Sequence, residues 1–153
     1  MPGPGDDEYR GNGVRSESRE DRSYSIASWC FDCATNRHLV GDKSYFVEYR
    51  ALAESEKKLI KSCHGWTQAD GIGTAEIWFE VHGNLVSVQL EGVFYAERHE
   101  NLISQSKLED QGFKVHYNSD QHIYSVEKEG IMSLEVGRND IGMYFIMAKN
   151  NFL

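Results

Sequence analysis

Between Thr74 and Val81, Ala75, Ile77, Phe79 and Val81 alternate with Glu76, Trp78 and Glu80, the two-residue period of a strand buried on one face. His82, Gly83 and Asn84 then lead into a second run, Leu85 to Leu90, with Val86, Val88 and Leu90 on one side. Two alternating runs joined by such a turn predict a β-hairpin. The same character recurs at residues 28–33, 45–49, 59–64, 93–96, 113–117, 123–126, 132–136 and 143–148, where Val, Ile, Tyr, Phe and Trp gather between Gly, Asn and Asp. Ten short strands predict an all-β fold, a closed or nearly closed β-barrel. One segment departs from the pattern. From Asn101 to Gln111, Leu102, Ile103, Ser106 and Leu108 stand near helical spacing and Gly112 is placed to cap the C-terminus, which predicts a single short helix.

A chain of 153 residues, 40% apolar and 12% aromatic, has material for one core and not two. Residues 1–27 hold both prolines, four glycines and ten charged side chains, a composition that cannot offset the entropy of ordering. They read as a disordered charged leader, with the folded domain at 28–153. The net charge of −8 argues against a broad phosphate-binding surface, so no direct nucleic-acid binding is expected. No run approaches the roughly 18 apolar residues of a membrane span and residues 1–28 carry no signal-peptide core. The expectation is a soluble, intracellular, cytoplasmic protein with no membrane partner. Cys30, Cys33 and Cys63 are an odd number without framework spacing, consistent with free thiols in a reducing compartment.

The stretch from Trp29 to Phe46 carries the most chemistry. An apolar strand ends there at Asp32, followed by the small residues Cys33, Ala34 and Thr35. Backbone amides at such a strand end can hold a carboxylate for acid/base work, or the aspartate can simply cap a turn. Cys30-x2-Cys33-x4-His38 also matches three ligands of a zinc knuckle, but the fourth position is Lys43 and the nearest substitute is the distant pair Cys63-His64. The remaining histidines, His82, His99, His116 and His122, show no ligand spacing. Gly71-x-Gly73 lacks the third glycine and following helix that dinucleotide binding needs, and no cofactor is expected.

Trp29, Asp32, His38, Gly41 and Phe46 sit where a W-x-x-D-[ST]-G-A-[ST]-x-H-x-x-G signature and its following aromatic would place them. Gly71-Ile72-Gly73-Thr74 and Asn101-Leu102-Ile103-Ser104 follow in the same order as that family's G-x-G-T and N-L-[IL]-S elements. In these motifs the chain, from about Trp29 to Phe145, resembles the retropepsin-like β-barrel protease domain of copia-type retrotransposon Pol polyproteins, including the domain named after the TNT-type transposon. The resemblance implies an aspartic endopeptidase that cleaves polyprotein peptides as a homodimer, each chain giving one catalytic Asp32. It implies that Cys33, Ala34 and Thr35 form the active-site loop, that Gly71, Ile72 and Gly73 form a flap-like turn, and that residues 101–108 pack as a helix beneath the site. It also implies a piece of a longer polyprotein or a fragment of its gene. Cys33 replaces the family's Ser or Thr and Ala34 its Gly, and the thiol cannot take the place of a bridging hydroxyl. The alternative expectation is a catalytically inactive structural or peptide-binding barrel.

Overall fold

The computed structural model describes residues 26–62 and 65–149. The leader up to residue 25, Cys63 and His64 lie outside the described residues. The strands are β1 (Ile26–Asp32), β2 (Leu39–Val40), β3 (Phe46–Ala51), β4 (Lys58–Ser62), β5 (Gly65–Ala69), β6 (Gly71–Val81), β7 (Asn84–Tyr95) and β8 (Asn101–Ser104). One helix, α1 (Gln105–Asp110), precedes β9 (Lys114–Asn118), β10 (Ile123–Lys128), β11 (Ile131–Gly137) and β12 (Phe145–Lys149). β1 therefore takes in Ile26 and Ala27, inside the leader as drawn from composition. No helix among the described residues is long and apolar enough to cross a membrane.

The hairpin predicted from alternation is the longest pairing, β6 against β7 from Gly71↔Tyr95 to Val81↔Asn84. Ala75, Ile77, Phe79, Val88 and Leu90 are buried along it. Its turn is only His82 and Gly83, both at positive φ (50° and 83°), the two-residue turn whose twist matches the flanking strands. Asn84 is thus the first residue of β7. The short strand expected at 93–96 is the far end of the same β7.

Seven strands form one sheet in the order β12-β1-β8-β2-β7-β6-β3, while β11-β10-β9 and β4-β5 form separate sheets. β1 runs parallel to β8 and β2 parallel to β7. The protein is mostly β with one short helix, as expected, and among the described residues its strands fall in three sheets, none of them closed. β12 and β6 meet at a single pair, Lys149 and Trp78. The main core gathers Trp29, Phe31, Ile77, Phe79, Leu90, Ile103, Leu108 and Leu134. A second cluster of Leu39, Leu52, Ile60, Ala69, Phe94, Ala96 and Leu102 includes residues of the β4–β5 hairpin.

Two expectations need correction. Asn101 to Ser104 is strand, not helix, because Leu102 and Ile103 are adjacent and both fully buried, each in a different cluster, which alternating strand geometry allows. The helix begins only at Gln105, with the Ser104 hydroxyl accepting from the Lys107 amide at 3.3 Å as its N-cap. It closes as expected at Gly112, φ 94°, whose amide donates to Glu109 at 3.1 Å.

The second correction concerns Gly71, Ile72 and Gly73. They lie inside β6, paired with β3 on one side and β7 on the other, and form no flap-like turn. Their glycines answer to close approach: a Cβ on Gly71 would overlap the Tyr49 phenol, and one on Gly73 the Glu48 carbonyl. Gly73→Ala should cost about 1–3 kcal/mol, because the obstacle is backbone and cannot rotate away. Urea unfolding checks this, and an unchanged midpoint would show that β3 moves aside freely.

Candidate functional site

Asp32 is the last residue of β1 and lies in parallel register with Ser104 of β8. It is 8% exposed, and its Oδ1 accepts the Ala34 amide at 2.7 Å. The chain turns outward there, leaving Cys33 and Ala34 exposed, and returns inward at Thr35, which is buried. The four loop residues expected to act together are therefore contiguous in space as in sequence, whereas Gly71 to Gly73 belong to the sheet.

Two buried polar side chains, Ser104 and His38, support this loop. Ser104 Oγ donates to the Thr35 carbonyl at 2.8 Å, and the Ser104 amide donates to His38 Nδ1 at 3.0 Å. An amide can only donate, so Nδ1 is bare and the proton sits on Nε2, which donates to Gln111 Oε1 at 3.0 Å. His38 is fully buried. Burial pushes its pKa down to about 4, against the opposing hydrogen bond from Gln111 and with help from the nearby Lys107 charge. A neutral imidazole is thus a fixed strut between β8, α1 and the segment after the Asp32 loop.

The other signature residues are also structural. Trp29 is fully buried and meets Tyr45 edge-on, ring centroids 5.1 Å apart. Burial raises the Tyr45 hydroxyl well above its ordinary pKa, with the Trp29 indole opposing. Gly41 donates its amide to Asn101 Oδ1 at 3.1 Å, and a Cβ there would overlap the His99 backbone.

The β4–β5 hairpin touches this loop. Thr35 Oγ1 is 3.3 Å from both the Arg37 and Lys61 carbonyls, so its hydroxyl ties the Asp32 loop to β4. Ile60 and Ala69 of this hairpin are buried, whereas Leu59 and Trp66 are 64% and 65% exposed, with the Lys61 ammonium 5.4 Å from the Trp66 ring. Thr35→Val should cost about 1 kcal/mol and leave a carbonyl short of a donor. Hydrogen exchange should quicken in β4 and β5; uniform protection would mean that the tie holds nothing.

A family model described as Pol polyprotein, beta-barrel domain, matches residues 29–113, more than half of the chain. The chain belongs to that family. No curated protein and no solved structure matches it. In this Pol β-barrel domain the matched residues take in β1 from Trp29 onward, β2 to β8 and α1, hence Asp32 and the whole set of supports, Thr35, His38, Ser104 and Gln111. Strands β9 to β12 lie beyond the match, although β12 pairs with β1 along its length.

Those later strands bring to the Asp32 loop a group that sequence reasoning missed. Tyr124 stacks at 4.9 Å from Phe31, the residue before Asp32, and meets Tyr117 at 4.7 Å and Tyr144 at 4.9 Å. The Tyr117 hydroxyl lies 2.7 Å from that of Tyr144 and 3.2 Å from His122 Nδ1, and the Phe31 amide donates to the Tyr144 carbonyl at 2.9 Å. Burial raises the Tyr124 pKa, with Cys33 and Tyr117 adding to it. No spacing announces this cluster, since its members come from three separate segments.

The zinc-knuckle spacing loses its histidine in the Pol domain. Both His38 nitrogens are committed to Ser104 and Gln111, and Cys33 is exposed whereas His38 is buried. Among the described residues no three His, Cys, Asp or Glu side chains gather as a metal site.

Proposed function

We propose that this Pol β-barrel domain is a retropepsin-type aspartic endopeptidase of a copia-type element, acting on polyprotein peptides as a homodimer. The observation that carries the reading is Asp32, a largely buried carboxylate at a strand end, held by the Ala34 amide on a loop supported from beneath. Peptide hydrolysis by carboxylates needs two of them a few ångströms apart, sharing one proton so that one activates water and the other donates to the scissile carbonyl. One chain supplies one Asp32, so a second copy supplies the other. Thr35, Ser104 and His38 are positioning residues in this account, and the β4–β5 hairpin, tied to the loop through Thr35, is the element that would cover a bound peptide. The single contact between β12 and β6 is where the barrel would close.

A second reading, an inactive peptide-binding or structural barrel, draws on Cys33 and Ala34, which are exposed and put no hydroxyl beside the carboxylate. Incubating the full chain with peptides spanning polyprotein junctions, between pH 5 and 7, separates the two. The protease reading expects cleavage that a hydroxyethylene isostere of the cut peptide inhibits, since it mimics the tetrahedral intermediate. A folded dimer that cleaves nothing would give the second reading the field.

A further inference from the structure

β6 and β12 touch at Trp78 and Lys149 and then part. From there to the His82-Gly83 turn, β6 is paired with β7 on one side, while β3 has already ended its pairing with β6 at Ala75. β12 is paired with β1 on its far side. A cleft of about 370 Å³ opens between the diverging strands, lined by Trp78, Glu80, Leu85, Glu135, Ile146 and Met147. Its rims expose apolar surface, Leu85 at 38% and Met147 at 58%. Two carboxylates share a wall with an indole, an isoleucine, a leucine and a thioether.

That mixture has a definite complement. A lysine or arginine lays its aliphatic stem on apolar surface, brings its cation over an indole face, and finishes on a carboxylate. Glu135 already faces a basic group, with both its oxygens 3.2 and 3.3 Å from His82 Nε2. The net charge of −8 adds long-range attraction for a cationic segment. Beyond Trp78 no pairing joins β6 to β12 among the described residues, and an extended peptide can add as a strand at such an edge.

We propose that the cleft between β6 and β12 binds an extended basic peptide segment, with one lysine or arginine side chain seated between Trp78, Met147 and the carboxylates of Glu80 and Glu135. This site uses different strands from the Asp32 loop and does not depend on proteolysis.

The test is a titration of the isotope-labelled full chain, followed by amide and indole resonances, with acetyl-Val-Arg-Val-Arg-Val-amide and its Glu-for-Arg counterpart. The expected result is shifts centred on Trp78 to Glu80, Leu85 and Ile146 to Met147, with the basic peptide binding about tenfold or more tighter than the acidic one. Combined Glu80→Gln and Glu135→Gln, both on exposed or half-exposed side chains, should weaken the basic peptide about tenfold and leave distant resonances in place. Equal binding of the two peptides, shifts located elsewhere, or no loss in the double variant would overturn the proposal. So would shifts of the same resonances on raising protein concentration alone, which would assign the cleft to a second copy of the chain.

Discussion

Asp32→Asn should lower kcat/KM for peptide cleavage by about 10³-fold or more, because it removes the titrating oxygen on which shared-proton chemistry depends. The fold should barely notice. Asparagine keeps an Oδ1 that can accept the Ala34 amide, now held at 2.7 Å, and the site is nearly buried but not sealed, at 8% exposure. A variant with native unfolding midpoint and no cleavage therefore separates chemistry from structure. Retained cleavage would remove Asp32 from the reaction.

The second large effect falls on His38. His38→Ala would empty a fully buried site and leave both the Ser104 amide and Gln111 Oε1 without their partner, a loss of about 3 kcal/mol or more. The histidine also makes stability depend on pH. Its folded pKa, about 4, lies below the ordinary 6.5, so between these values the unfolded chain binds more protons than the folded one. Stability contributed by the neutral imidazole is complete above about pH 6.5 and is lost as pH falls towards 4, by about 3 kcal/mol over the window. Protonation would also set an Nδ1 hydrogen against the Ser104 amide, donor against donor, and loosen the hold on Thr35. Urea unfolding of native protein and His38→Gln from pH 7.5 to 4 reads this directly. The variant should start lower and slope less, and parallel slopes would contradict the assignment of the buried proton. Loss of cleavage below about pH 5 would then report a failing support before it reported anything about the carboxylates.

These two residues mark the limits of what the sequence disclosed. Asp32 was legible because an apolar run ends at it, a local signal. The role of His38 was not, because its partners Ser104 and Gln111 lie 66 and 73 residues away. The β6–β7 hairpin was legible for the same local reason, down to the face each side chain takes. The boundary between β8 and α1 was missed because adjacent leucine and isoleucine fit a helix face as well as a strand covered on both sides. Gly71 and Gly73 were misread because glycine serves turns and close strand contacts alike, and only the positions of Tyr49 and Glu48 distinguish the two. Of the hairpin that touches the Asp32 loop, only the first strand shows in the sequence, within 59–64, and its role does not, since the Thr35–Lys61 bond spans 26 residues.

The central claim is that a working site takes one Asp32 from each of two chains. Mixing native chain with Asp32→Asn chain at constant total concentration, after time for subunit exchange, tests it most directly. If heterodimers with one carboxylate are inert, activity follows the square of the native fraction and equal mixing leaves about one quarter of it. Activity that falls in simple proportion, leaving about one half, would mean that each chain acts alone and would contradict the dimeric site.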